Sequence, residues 1–358
     1  MLGQSDGHFY RFQLSIMNQN QISFYVGCYS DPNQASGISK ILLDLHTGAL
    51  SDSGVIVDTK NPSYLATSSN GLYTFNEIAQ QEGSRLIHQT PSGVLIWSAS
   101  QGDYPCHIDI DEAENWLALA HYVSGNVNLY KLDEQGQVSE RVACLQMAGD
   151  GPNKGRQESS HAHMVMFLKH RSELMTVDLG TDSIHCYQLD AESDAVSLVQ
   201  TITLPAGSGP RHMVLSADET QAYVVCELTE TLVSLTYSQS QWQIVDEQAL
   251  MPDSEVGEAA AAIKMSPDGR FVYVSCRAQN TLVQFNIESE SLTRVAEYKM
   301  NGDFPRDFAI SSDGQWVIVA NQHSNDIESF ARCTETGSLQ ATGYRITSHA
   351  PVCLVQAN

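Results

Sequence analysis

One pattern recurs along this chain and leaves few folds open. A small residue or proline opens a short apolar strand. A polar turn follows, often with Asp-Gly, then an aromatic or β-branched strand, a polar end residue and a further strand. The clearest copy is 209–237, GPRHMVLSADETQAYVVCELTETLVSLTY. Others lie at 61–77 (NPSYLATSSNGLYTFNE), 104–130 (YPCHIDIDEAENWLALAHYVSGNVNLY) and 160–187 (SHAHMVMFLKHRSELMTVDLGTDSIHCY). Two more lie at 258–285 (EAAAAIKMSPDGRFVYVSCRAQNTLVQF) and 304–330 (FPRDFAISSDGQWVIVANQHSNDIESF). A last start, HAPVCLVQAN, ends the chain, and the strand it lacks stands at the front as ISFYVGCYS, followed by SGISKILLDLHTGAL. The starts recur about every 43 to 56 residues.

Short runs rich in Val, Ile, Tyr and Phe between Gly and Asp turns are strand signals, and no helical periodicity of any length intervenes. A unit of this length cannot bury both its faces alone, but copies stacked around a ring can. The spacing therefore predicts an all-β, seven-bladed β-propeller of four-stranded antiparallel blades. Its ring is closed by N- and C-terminal strands in one blade, with Pro351 to Gln356 beside Ser23 to Cys28. Closure also removes a sheet edge that would invite aggregation. A two-domain β-sandwich is the structural alternative. Residues 1–20 read as a polar extension, disordered or preceding a start at Met17, and 21–358 as a single domain without a linker.

The hairpins carry chemistry at one end. In an antiparallel pair the start of one strand lies beside the end of its partner. The second-strand ends supply Glu77, His121, Asp178, Glu227, Arg277 and Gln322. The first-strand starts supply Tyr64, His107, His161 with His163, Arg211 with His212, and Arg306. Since the first strand of a blade lines the channel, these groups are expected to converge at one mouth. Plainer roles compete for some of them. His107 and His121 suit hydrogen-bonded channel linings, Asp178 in DLGTD suits a turn brace, and SPDG and SSDG are turns.

His161 and His163, at i and i+2, share one face of a strand, but no third ligand set accompanies them, so neither metal nor other cofactor is expected. The sequence holds no P-loop, GxGxxG, GxSxG or HExxH pattern, so nucleotide binding and serine or zinc hydrolase chemistry lack their usual signals. A net charge of −23 argues against nucleic acid and anionic membrane as partners. It also means that an anionic substrate would need a local cluster of arginine and histidine. Eight cysteines are placed singly, without CxxC, as buried free thiols in a reducing cytoplasm would be. No run approaches the roughly 18 apolar residues of a membrane span. A basic stretch leading into an apolar one is missing at the N-terminus. A cytoplasmic monomer is expected.

Taken together, YVGCYS, GISKILLDLHTGAL, NPSYLA, YPCHIDID, the HAH of SSHAHMV, VDLGTDSIHCY, GPRHMVLSADE, the CEL of VVCEL, SPDGRFVYVSCR, and FPRDFAISSDG with VANQ resemble the seven-bladed propeller lactonases. That family includes the propeller-type bacterial 6-phosphogluconolactonases and the fungal carboxy-muconate lactonising enzymes. The resemblance runs from about Ile22 onwards and implies lactone chemistry at the channel mouth. Its functional positions fall on His163, Arg211, Glu227 and Arg277. Three positions depart from the family's pattern: Cys276, where Asn or Asp is common, Ala262, where an acid is common, and Ser160, where proline is usual.

Three functions are weighed on this basis. The first is hydrolysis of 6-phosphoglucono-δ-lactone in the pentose phosphate route. The second is lactonisation of a carboxylated muconate, and the third a non-catalytic propeller that binds a partner. Charges gathered inside the mouth favour an enzyme acting on a small anionic lactone. His163 or Glu227 would activate water, and Arg211 and Arg277 would hold the anion and the developing oxyanion. His161, His212, Arg306, Glu77, His121 and Gln322 are the expected substrate contacts.

Overall fold

In the computed structural model the described residues are 20–31, 36–288 and 291–357. The expected N-terminal extension, Asn20 apart, lies outside them. The strands follow in chain order as β1 (Gln21–Cys28), β2 (Gly37–Asp44), β3 (Leu50–Asp58), β4 (Leu65–Ser68), β5 (Gly71–Phe75), β6 (Arg85–Gln89) and β7 (Leu95–Ala99). Next come β8 (Pro105–Ile110), β9 (Trp116–His121), β10 (Asn126–Leu132), β11 (Val138–Gln146), β12 (Ala162–Phe167), β13 (Glu173–Asp178), β14 (Ser183–Leu189) and β15 (Val196–Thr203). The fifth and sixth blades use β16 (Pro210–Leu215), β17 (Gln221–Cys226), β18 (Thr231–Ser238), β19 (Gln241–Ala249), β20 (Ala260–Met265), β21 (Phe271–Cys276), β22 (Thr281–Glu288) and β23 (Ser291–Lys299). The last strands are β24 (Pro305–Ile310), β25 (Trp316–Asn321), β26 (Asp326–Arg332), β27 (Leu339–Thr347) and β28 (Pro351–Gln356).

These strands form seven four-stranded sheets, six of them consecutive in sequence and the seventh ordered β28-β1-β2-β3. The propeller and its closure are therefore as the repeat predicts. Phe24 pairs with Gln356, Val26 with Leu354 and Cys28 with Pro351.

Burial explains the composition of each strand. The second strands are covered by neighbouring blades on both faces, so WLALAH of β9, FVYVSC of β21 and WVIVAN of β25 are buried at every position. The outermost strands face solvent, and β19 buries only Trp242 among its nine residues. Seven apolar clusters fill the seven gaps between blades. The cluster that seals the ring packs Phe24, Ile41 and Leu354 against Ile318, Ala320 and Ile327. In the polar turns, Ser266 donates to Asp268 at 2.5 Å and Ser311 to Asp313 at 2.5 Å, with Gly269 and Gly314 at φ 67° and 69°. These are turns and nothing more.

Six inner strands share one irregularity. Their ladder to the second strand breaks at Cys106, His163, Arg211, Arg306 and Val352, and across Ala261 and Ala262. Each break leaves an extra residue on the inner strand, a β-bulge that re-aims its side chain.

Deleting residues 350–358 removes one strand of the closing sheet and part of the sealing cluster. The truncated chain is expected to lose cooperative melting, followed by circular dichroism. An unchanged transition would show that the ring does not depend on this closure.

Candidate active site

Two rings of residues, both set by backbone geometry, define the channel mouth. Directly after each second strand, or in the second blade two residues after it, stands one residue whose N–H donates to a carbonyl ahead of the inner strand. The donors are Tyr29, Glu77, Tyr122, Leu179, Glu227, Arg277 and Gln322. Their acceptors are Ala350, Asn61, Tyr104, His161, Gly209, Ala259 and Phe304, at 2.7–3.1 Å. The second ring is made by the bulge residues. Cys106, His163, Arg211, Arg306 and Val352 line a cavity of about 20 Å³ together with His212 and Glu77, room for about one water molecule.

This register corrects two expectations. His121 and Asp178 end their strands one position short of the ring, where Tyr122 and Leu179 stand instead. His121 packs under Gly102, where any side chain would strike the imidazole, and its Nδ1 lies 3.3 Å from the carbonyl of Asn126. Burial pulls its pKa down to about 4, so it is a neutral histidine of the blade interior. Asp178 is the turn brace, accepting from Ser160 Oγ at 2.7 Å and from the N–H groups of His161 at 2.7 Å and Gly180 at 2.9 Å. Ser160 is thus a partner of that brace.

His161 is also turned away from the cavity lining. Its Nδ1 sits 2.8 Å from the carbonyl of Tyr122, its ring stacks on Tyr122 at 4.4 Å, and its Nε2 is 3.3 Å from Glu158. The bulge separates it from His163, so the two imidazoles do not share a face. Among the described residues no group of three or more His, Cys, Asp or Glu could hold a metal ion.

The remaining expected residues do come together, in three groups. The first is imidazole and aromatic. His212 lies 5.3 Å from both His107 and His163, edge to face, with the Tyr64 ring tilted beside His107 at 4.2 Å. All three imidazoles are buried, and burial together with Arg211 holds each well below the ordinary histidine range. They are neutral at physiological pH. Nδ1 of His163 and Nε2 of His212 have no protein partner and are free to bond a water or a substrate.

The second group is Glu227 with three guanidiniums. Its Oε2 lies 3.0 Å from Arg211 and 3.1 Å from Arg277, and its Oε1 2.6 Å from Arg156. Burial alone would raise this carboxyl. The Arg277 and Arg211 charges outweigh it and hold the group well below the usual carboxylate range. Arg211 also donates to the carbonyl of Ala261 at 2.8 Å, and Arg277 to that of Ala259 at 2.8 Å. The carbonyls that both guanidiniums use belong to Ala259, Ala260 and Ala261, whereas Ala262 packs in the apolar cluster with Phe271 and Phe308.

The third group crosses the ring closure. Arg306 donates to the Tyr29 hydroxyl at 2.9 Å, and that hydroxyl donates to Glu77 at 3.0 Å. Burial keeps the phenol protonated, so it can serve both partners. Gln322 accepts more weakly from Arg306 at 3.4 Å.

Tyr29, Tyr122 and Arg156 are missing from the residues picked out in the sequence. Tyr29 is legible in principle, as the residue that follows the strand in YVGCYS. Tyr122 needed the one-residue register correction. Arg156 belongs to the segment GPNKGRQ, which has no counterpart in the repeat and so gives no signal.

The neutral imidazoles carry a consequence for stability. Their folded pKa values lie below their unfolded values, so the unfolded chain binds more protons as pH falls below about 6.5. Stability is complete above that pH and falls below it by about 1.4 kcal/mol per pH unit for each ring. Denaturant unfolding at pH 5 and 7 is expected to show this slope, and His107→Gln should reduce it by one proton's share. An unaltered slope in the variant would mean that His107 is protonated in the folded state.

The site's geometry is matched by kinship. A family profile described as "Lactonase, 7-bladed beta-propeller" matches residues 23–356. The 6-phosphogluconolactonase of Bacillus subtilis (strain 168) is 29% identical over 341 residues, covering 92% of this chain and 97% of that protein. The 6-phosphogluconolactonase of Formosa agariphila is 28% identical over 88% of this chain and 94% of that protein. The solved structure of a periplasmic gluconolactonase from Pseudomonas aeruginosa superimposes with a TM-score of 0.85, at 27% identity over 94% of this chain and 99% of that one. The chain belongs to the seven-bladed β-propeller lactonase family.

Proposed function

We propose that the chain hydrolyses a phosphorylated sugar lactone, 6-phospho-D-glucono-1,5-lactone, to 6-phosphogluconate, as in the pentose phosphate route. One observation carries the reading. In a protein of net charge −23, Arg156, Arg211, Arg277 and Arg306 meet Glu227 and Glu77 around the pocket, while Asp307 in its lining is paired with Lys264. The local excess of two positive charges, beside neutral imidazoles, suits an anionic substrate and a base-catalysed attack. The names of the relatives support the same substrate.

In this mechanism His163 takes a proton from water through its unpartnered Nδ1 as the oxygen attacks the lactone carbonyl. Arg211 and Arg277 stabilise the oxyanion of the tetrahedral intermediate. The ring C–O bond then breaks, and the imidazolium returns its proton to the departing ring oxygen, which becomes a hydroxyl. Glu227, held by three guanidiniums far below the usual carboxylate range, is a poor base. Its part is to keep the arginines together and in place. Arg306, Glu77, His212 and Gln322 contact the sugar, whereas His161 and His121 act only through their neighbours. No metal or other cofactor is needed for this chemistry. All eight cysteines are unpaired, which fits a reducing compartment such as the cytoplasm. We take the working unit to be the monomer, since one chain supplies the whole pocket.

Hydrolysis of freshly generated lactone is to be measured against the spontaneous background. His163→Ala is expected to lower kcat by about 10²–10⁴-fold with KM little changed. Arg211→Ala and Arg277→Ala, each removing an oxyanion donor, are expected to lower kcat by about 10²–10³-fold. Because His163 titrates below the ordinary range, kcat should stay flat through pH 6.5 and fall only at lower pH. A folded Arg211→Ala/Arg277→Ala double variant with wild-type turnover would refute the assignment and favour a non-catalytic propeller.

A further inference from the structure

We infer that Arg156 selects the phosphorylated lactone over its unphosphorylated counterpart by holding the distal anion at the rim of the pocket. This rests on the hydrolase reading above. Arg156 lies between β11 and β12 in residues 147–161, the longest of the seven connections between blades. Long connections in compact folds are commonly functional, and this one delivers a guanidinium to the channel mouth from outside the repeat.

The loop is firmly held. The next residue, Gln157, is fully buried, and its amide donates to the carbonyl of Leu179 at 2.9 Å and to Asp182 at 2.7 Å. Its backbone N–H donates to Asn153 at 2.7 Å, and its carbonyl accepts from Gly151 at 2.9 Å. A Cβ at Gly151 would lie 2.5 Å from the Gln157 side chain, so the close turn needs a glycine there. The backbone beneath Arg156 is therefore a rigid mount.

The four guanidiniums differ in what they have left to offer. Arg211 and Arg277 are 5% and 7% exposed and bond backbone carbonyls besides Glu227. Arg306 bonds Tyr29 and Gln322. The Arg156 side chain is 35% exposed and holds Glu227 through Nη2, with the Tyr122 hydroxyl as its other partner. It presents the fork geometry that matches a phosphate. The deep arginines serve the lactone carbonyl, which both substrates possess. A cation at the entrance is what can read the group in which they differ. When phosphate draws on Arg156, Glu227 still keeps Arg211 and Arg277, so the exchange strands no buried charge.

The test compares kcat/KM for 6-phosphoglucono-1,5-lactone and glucono-1,5-lactone in the wild type, Arg156→Gln and Arg156→Lys, each checked for an unchanged melting curve. The preference for the phosphorylated lactone is expected to fall about 10- to 100-fold in Arg156→Gln, the worth of one charge-assisted contact. The loss should appear in KM, and Arg156→Lys should recover part of it. Inorganic phosphate should inhibit the wild type competitively and the Gln variant more weakly. An active enzyme whose preference is unchanged, or whose kcat falls equally for both lactones, would overturn the role of Arg156 alone. A wild type inactive on both lactones would overturn the hydrolase reading and this inference with it.

Discussion

The pairing of β28 with β1 is the constraint on which the rest depends. It places the last strand of the chain at the inner edge of the first blade. Without it, the first and last blades would each expose an apolar face now sealed by Phe24, Ile41 and Ile318. Closure also fixes the inner strands around one axis, so bulge residues from distant parts of the sequence meet. Arg306 and Tyr29, 277 residues apart, are hydrogen-bonded across that seam. The active-site geometry is in this sense a consequence of ring closure.

Within the mouth the governing balance is electrostatic. Four arginines drawn into a poorly hydrated pocket repel one another, and each pays for lost hydration. Glu227 offsets this by taking three of them on two oxygens, while backbone carbonyls at 259–261 accept further N–H groups. Removing one partner of a buried ion pair typically costs about 3–5 kcal/mol because a charge is left uncompensated. Burial, reinforced by these cations, keeps the neighbouring imidazoles neutral. On the proposed mechanism, one arrangement would thus supply anion binding and an unprotonated base together, the combination that lactone hydrolysis requires.

The expectations from sequence succeeded and failed for identifiable reasons. The hairpin rule found Glu227, Arg277, Gln322 and Glu77 because their blades end on the same polar position. It misplaced His121 and Asp178 because a polar strand end and the polar residue after it look alike until hydrogen bonds count them. The seven repeated N–H to carbonyl bonds make that count and put Tyr122 and Leu179 on the ring. His161 and His163 looked equivalent because two residues apart on a regular strand means one face. A bulge at His163 breaks the alternation, and bulges leave no mark in composition.

The sequence by itself determined the propeller, its seven units and its closure, since apolar periodicity and turn residues are local signals repeated seven times. It also named the four residues on which the chemistry is proposed to rest. Only the tertiary structure decided the surroundings in which they stand. Burial sets the histidines neutral, three guanidiniums take Glu227 out of contention as a base, and the loop carrying Arg156 reaches the mouth. Each of these depends on groups far apart in the chain, because desolvation and Coulomb interaction act through distance in space, which sequence spacing does not record.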